Sequence, residues 1–373
     1  MLYTINKLIM KRLAFYSFLA VVLMFSASGF SLTVPKGNRP VKNIILMIGD
    51  GMGTSAVYAG YTLNHGHLNL ERIRNIGFSK TYSTAYVTDS GAGGTAISTG
   101  NKTYNGAIGV DSTGKPAETI LEWAEEYGKA TGLVATCAIT HATPASFISH
   151  QASRSDYELI ALDFLKTDID VFIGGGRNHF AKRKDGVDLT QKLKEKGYSL
   201  AYTMDELRNV KKGPVAALLD TVHPVKWLEG RGNMLTESVN EAIRLLSSDK
   251  DGFFMMVEGS QIDWGGHDNN INYLATEMVD FDKAVGAALD FAMKDGETLV
   301  VITADHDTGG LGLNGGSFET GEIKAGFTGT NHTGVMVPVF AFGPQSEMFS
   351  GFQENTDLFF KMMNAFGFEV KRK

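Results

Sequence analysis

The sequence predicts an α/β fold with a large, mainly parallel central sheet and helices on both of its faces. Short apolar, β-rich runs alternate with helical patterns along the chain, which is the pattern of strands joined by crossover helices. The unusual polar residues stand directly after several of those runs, and an open parallel sheet binds ligands beyond the carboxyl ends of its strands. Composition agrees: with 43% hydrophobic and 20% charged residues in 373, the chain has the apolar content for a sizeable core and no disorder is expected. That length suits one large α/β unit. The 43 glycines supply tight turns and close approach of backbone to ligand.

Taken in order, residues 1–30 read as a secretory signal rather than as part of the fold. Lys7, Lys11 and Arg12 precede an apolar run at 13–25, and the small residues Ser26, Ala27, Ser28 and Gly29 follow. The run is short for a bilayer span and nothing later resembles one. Export with cleavage is therefore expected, to a periplasm or outside the cell, with no stable membrane anchor and a single catalytic domain over 31–373. Strands are expected at 43–48, 132–139, 171–174, 215–219, 252–257, 298–303 and 335–342, and helices at 55–64, 119–127, 236–247 and 273–293. A further helix should begin near Ser90. Phe281, Val285 and Leu289 recur at helical spacing and read as core. The lysine-rich stretch 182–196, with Lys211 and Lys212, reads as solvated surface. Cys137 is the only cysteine, which excludes an intrachain disulfide. A net charge of −6 and a pI near 5.9 argue against nucleic-acid binding, which needs basic surface. An anionic substrate must then be held by local cations.

Five separated segments carry the chemistry. IGDGMG at 48–53 sets Asp50 in a glycine-flanked turn after a strand; taken alone, it reads equally as a helix cap. VEGSQIDWGGHD at 257–268 offers Glu258, Asp263 and His267, TADHDT at 303–308 offers Asp305 and His306, and NHTG at 331–334 offers His332. Aspartate with histidine suits zinc, and carboxylate with hydroxyl oxygen suits a harder ion such as magnesium. VTDSGAGGT at 87–95 places Ser90 behind an acid and ahead of small residues. A helix N-terminus there would stabilise a phosphoryl group, though a serine cap is the plain alternative. No Ser-His-Asp spacing is evident, so a metal must activate the hydroxyl.

In this order the segments resemble the alkaline phosphatase family over nearly the whole mature chain. The resemblance implies an alkaline-phosphatase-like three-layer sandwich that hydrolyses small phosphate monoesters through a covalent phosphoserine on Ser90, with a broad leaving-group range. It implies two Zn2+ and one Mg2+ per subunit, and a homodimer. One zinc would be held by Asp263, His267 and His332, the second by Asp50, Asp305 and His306 with Ser90 reaching it, and the third ion by Asp50, Thr143 and Glu258. HATPASFISHQASR at 141–154 resembles the stretch ending in a phosphate-binding arginine, so that role falls on Arg154, whose planar fork grips two oxygens. His141 stands where some bacterial members carry an aspartate ligand, and Trp264 where they carry a lysine. This pairing is similar to a branch that includes cold-adapted marine and polar bacterial enzymes, and it makes both residues neighbours of the third ion. The short stretch between His306 and His332 leaves little room for a large crown insertion.

His150 reads as a packed or hydrogen-bonded histidine, and GGGRNHF at 174–180 as a structural turn. Two rival functions remain: a phosphodiesterase, sulfatase or mutase of the related superfamily, and a phosphate or metal scavenger without turnover. Retention of Ser90 argues against the second, because binding alone needs no nucleophile.

Overall fold

Residues 41–369 are described by the computed structural model; residues 1–30, expected to be a secretory signal, lie outside them. Ile44 to Ile48 follow one another without a polar interruption, as a strand covered on both faces requires, and they form the wholly buried β1 (Asn43–Gly49). The later strands are β2 (Asn75–Lys80), β3 (Ala130–Ala138), β4 (Val171–Gly175), β5 (Ser199–Ala201), β6 (Val215–Leu218), β7 (Phe253–Gly259), β8 (Thr298–Thr303), β9 (Asp307–Thr308), β10 (Leu311–Ser317), β11 (Glu322–Phe327), β12 (His332–Thr333), β13 (Val337–Phe342) and β14 (Gly351–Glu354).

Ten strands form one sheet in the order β14-β2-β13-β8-β1-β7-β3-β4-β6-β5. Its pairings are parallel except those of β13, which runs against both β8 and β2. The mainly parallel sheet expected from the alternation is therefore present, with one reversed strand that composition does not reveal. β2, β5 and β14 lie toward the ends of the sheet and lack a continuous apolar run, which is why pattern reading passes over them. β10 pairs with β11 and β9 with β12 in two small antiparallel ladders.

Side-chain alternation divides the core into two layers. Ile44, Leu46 and Ile48 point into one, with the helices Ser90–Thr99, Ile120–Glu126 and Asn355–Phe366. Ile45 and Met47 point into the other, with Thr54–Leu63, Met234–Leu246 and Ile271–Asp295. The long helix starts where Asn270 accepts from Tyr273 N at 3.1 Å and ends at Gly296, whose φ of 73° suits a glycine. Phe281, Val285 and Leu289 are fully buried on it, each contributing about 1.5–3 kcal/mol. Phe281 packs onto Gly259, where an added Cβ would lie 2.6 Å from the ring. Thr119 and Glu122 cap Ile120–Glu126 reciprocally, at 3.2 and 2.8 Å. In the lysine-rich stretch, Leu189 and Leu193 are buried while Lys192 and Lys194 face solvent.

The arrangement fixes where the chemistry gathers. β8, β1, β7 and β3 are parallel neighbours at the middle of the sheet, so their carboxyl ends share one edge. Asp50 follows β1, Asp305 and His306 follow β8, Thr143 lies beyond β3, and Glu258 is near the end of β7.

Candidate active site

The turn after β1 depends on Gly51, whose φ is +70° and whose Cβ would lie 2.7 Å from Asp263 Cα. Its N–H donates to Asp305 Oδ1 at 3.3 Å. The next helix is capped at Gly53 with no side-chain bond, so Asp50 is not a cap; it is fully buried and neither of its oxygens accepts a hydrogen bond. His306 Nε2 lies 3.2 Å from Asp305 Oδ2 and 3.5 Å from Asp50 Oδ1. Ser90 Oγ is 3.2 Å from the same nitrogen, and Thr308 Oγ1 is 3.2 Å from Nδ1.

Asp263 and His267 stand one turn apart on the helix Gln261–His267. β12 brings His332 to them by pairing it with Thr308. The Nε2 atoms of His267 and His332 are 3.1 Å apart, with Asp263 oxygens at 3.3 and 3.6 Å. His267 Nδ1 is 2.6 Å from Thr330 O, and His332 Nδ1 is 2.9 Å from Thr88 O. A carbonyl only accepts, so each Nδ1 carries the hydrogen and each Nε2 turns toward the cluster, the tautomer that suits a metal ligand. His306 stacks on His332 with ring centroids 3.6 Å apart, which joins the two clusters.

Glu258 is the centre of a third group. Its Oε2 accepts from Ser260 Oγ at 2.7 Å and from Cys137 Sγ at 3.2 Å. Glu258 Oε1, Thr143 Oγ1 and His141 Nδ1 are buried and have no partner. Trp264 lies edge-on to His141, centroids 6.1 Å apart, so both residues singled out as departures stand beside this group.

Ser90 opens the helix Ser90–Thr99, and Asp89, not Ser90, caps it by accepting from Ala92 N at 3.0 Å. Asp89 also accepts from Gly106 N at 3.0 Å and from Arg154 Nη1 at 2.9 Å. This acid therefore aims the arginine as well as starting the helix, a role the sequence signals only by its place one residue before the serine. The glycines have a second use beyond access for phosphate. A Cβ on Gly93 would lie 3.1 Å from Asp305 Cβ, and one on Gly94 3.0 Å from Ser146 Oγ, so their smallness seats the helix against β8 and its neighbours.

The electrostatics call for cations. Burial, followed by the charges of Asp305, Asp263 and Glu258, drives the Asp50 carboxyl well above its usual range. Burial and the Asp263 and Glu258 charges push Asp305 up to about 8. Burial and His332 push His306 well down, and burial with Arg154 takes His141 down to about 3. Burial opposes ionisation of Asp263, but the His267 hydrogen bond and the neighbouring imidazoles hold it well below the usual carboxylate range. That same bond raises His267 to about 9. Burial works against the Arg154 charge, and Asp89 more than offsets it. Unpaired buried carboxylates are costly, and the donor sets match what zinc and magnesium take: acid with imidazole in two groups, carboxylate with hydroxyl in the third.

The family model for alkaline phosphatase matches residues 41–324 and 314–368. The chain belongs to the alkaline phosphatase family. It is an enzyme that hydrolyses phosphate monoesters with the help of metal cofactors. Alkaline phosphatase 3 of Bacillus subtilis (strain 168) is 37% identical, the match covering 90% of this chain and 91% of that protein. The structure of the alkaline phosphatase from the Antarctic bacterium TAB5 superposes with a TM-score of 0.85 at 41% identity, covering 89% of this chain and 100% of that one. A cold-active alkaline phosphatase from a psychrophilic Shewanella gives 0.80 at 31% identity, over 87% and 99%. A His-to-Asp mutant of the TAB5 enzyme has magnesium bound in its M3 site.

Within this alkaline phosphatase fold, His150 and the 174–180 segment are held by local hydrogen bonds. His150 bonds Gly109 O at 2.6 Å and Glu122 Oε1 at 2.8 Å. GGGRNHF, expected as a turn, is instead the end of β4, Gly176 at φ 90° and the start of a helix at Arg177–Ala181; Arg177 N and Asn178 N donate to Asp220 O and Thr221 O, and His179 bonds Thr140 and stacks on Tyr157. His223 was not singled out in the sequence, yet its Nδ1 accepts from Ala138 N at 3.0 Å and its ring meets Trp264 edge-on at 4.9 Å. No motif surrounds it. Among the described residues, no helix is long and apolar enough to cross a membrane.

Proposed function

We propose that Ser90 attacks the phosphorus of a phosphate monoester and carries the phosphoryl group as a covalent phosphoserine, in a site for two zinc ions and one magnesium ion per subunit. The observation that carries this reading is the convergence of Ser90 Oγ, Asp305 and Asp50 on one nitrogen, His306 Nε2, at 3.2, 3.2 and 3.5 Å. A Ser-His-Asp relay would need the acid on the opposite nitrogen. Groups that crowd a single nitrogen are instead arranged as around an ion. Asp50, Asp305 and His306 would hold the zinc beside Ser90, Asp263, His267 and His332 the other, and Asp50, Thr143 and Glu258 the magnesium, with His141 and Trp264 as neighbours. When bound, the ions polarise the phosphoryl group, lower the pKa of the serine hydroxyl and offset charge on the leaving oxygen.

The chain supplies the rest. The helix N-terminus at Ser90 favours the charge that develops there, and Arg154, aimed by Asp89, offers its fork to two phosphoryl oxygens. In-line attack forms the Ser90 Oγ–phosphorus bond as the ester bond breaks, and the alcohol departs with a proton. Water then cleaves the Oγ–phosphorus bond, returning the hydroxyl and releasing inorganic phosphate. Two inversions give net retention. Because the contacts centre on phosphate, the leaving group is free to vary.

Acid quenching after exposure to labelled inorganic phosphate should trap label on the parent and not on Ser90→Ala, with zinc content the same in both. Equal labelling would remove Ser90 as the nucleophile. Turnover of a nitrophenyl monoester well above the matching diester and sulfate is expected alongside.

The reading extends to export with loss of residues 1–30 and to a homodimer. An apolar groove lined by Tyr58, Tyr61, Ile76, Phe78, Phe318 and Phe340 continues onto the exposed Phe352, which stacks on Phe78 at 5.8 Å. Exposed apolar surface of this kind marks an interface, and we assign it to a second copy of this chain; a monomeric mass by light scattering would remove the assignment.

A further inference from the structure

Glu258 presents two differently furnished sides. On one, Oε1 is buried without a hydrogen bond, and the Thr143 hydroxyl and Asp50 carboxylate, likewise buried without one, act on the same Glu258 carboxyl. That side is all oxygen and suits magnesium. On the other, Oε2 meets Ser260 Oγ at 2.7 Å and Cys137 Sγ at 3.2 Å. Cys137 is fully buried, and its sulfur also meets Ala138 O at 3.2 Å and the Ser260 side chain. The thiol sulfur, a ring nitrogen of His141 and a Glu258 oxygen all lie within 4.8 Å of one another, and His141 Nδ1 has no partner.

We propose that this second side is a soft-metal position: Cys137, His141 and Glu258 together take a thiophilic divalent cation of the zinc class, in competition with magnesium. The proposal rests on the reading of Glu258 as a ligand of the third ion. Competition follows because both positions use the same carboxylate. Thiolate and imidazole donors select zinc, cobalt or cadmium, whereas magnesium takes hard oxygens. Bonds of about 2.0–2.3 Å place tetrahedral ligands roughly 3.5 Å apart, close to the 3.2 Å between Sγ and Oε2. The only covalent change is at sulfur, whose proton leaves to solvent as the sulfur–metal bond forms. A cysteine that merely donated its S–H to Oε2 would steady the carboxylate and bind nothing.

Cys137 is the only cysteine in the chain, so a thiolate-to-metal charge-transfer band reports it alone. The zinc-loaded enzyme, dialysed free of magnesium, is titrated with cobalt(II), and bound metal is measured at each step. The expected result is a charge-transfer band that grows as one further ion binds per chain, is missing in Cys137→Ser, and recedes as magnesium is added. Should Cys137→Ser fail to fold, the magnesium competition on the parent decides. A further ion bound without the band overturns the cysteine assignment and leaves the third-ion reading standing. No further ion bound, with cobalt or with magnesium, overturns both.

Discussion

Replacing Arg154 with lysine keeps the charge beside the phosphate and removes the fork. Nη1 of Arg154 is engaged with Asp89 at 2.9 Å, so the guanidinium can hold Asp89 and still offer its remaining N–H groups to two phosphoryl oxygens. A lysine has one nitrogen to divide between them. At least one charge-assisted hydrogen bond is lost, worth about 1.5–3 kcal/mol, which corresponds to roughly 10–150-fold in kcat/KM. The fold should not suffer, because Asp89 keeps its bonds from Ala92 N and Gly106 N and the start of the Ser90 helix stays capped. The assay is kcat/KM for a nitrophenyl monoester together with the inhibition constant of inorganic phosphate. Both should weaken in step, since substrate and product share the same phosphoryl contacts. An unchanged phosphate inhibition constant would refute the reasoning, because Arg154 would then not touch bound phosphate.

His267→Ala should lower zinc content as well as activity, since one of three converging protein ligands is lost; full zinc with lost activity would make the residue catalytic instead. His141→Asp adds an anionic oxygen beside Glu258 and Thr143, so magnesium should bind roughly tenfold tighter or better. Activity recovery and thermal midpoint during magnesium titration at matched zinc check this, and an equal or higher magnesium requirement would remove His141 from the third position. Glu125, far from the site chemistry, is raised from 4.5 to about 7, chiefly by burial. The folded state thus keeps a proton that the unfolded chain releases, so stability falls as pH rises through this window and stays reduced above it. The advantage of Glu125→Gln over the parent should therefore widen by on the order of 1–3 kcal/mol between pH 5 and 8, and thermal midpoints that stay parallel across that range would contradict it.

Much of the fold was legible because burial on both faces of a parallel strand leaves an uninterrupted apolar run. β1, β7 and β8 could be read that way, and so could the polar groups at their ends: Asp50, Glu258, Asp305 and His306 break the apolar pattern at the one edge where a parallel sheet exposes its loops. The long helix was legible too, its bounds differing by only two residues at each end. The direction of β13 was not legible, since an apolar strand reads the same in either sense and only the connection from β12 turns it. β2 and β14 were missed because their mixed composition reflects positions toward the edge of the sheet. Within the site, the sequence determined the kinds of donor and tertiary structure decided their company. The sequence showed Asp89 only as the acid before Ser90; the loop carrying Arg154, 65 residues later, folds onto it and gives it the arginine to aim. Cys137 stood in the sequence only as the single cysteine that excludes a disulfide, and the pairing of β3 with β7 sets its sulfur against Glu258, 121 residues away. A residue type and its spacing fix what an atom can do; which atoms meet is set by strand order, because neighbours in a parallel sheet are separated by a whole crossover.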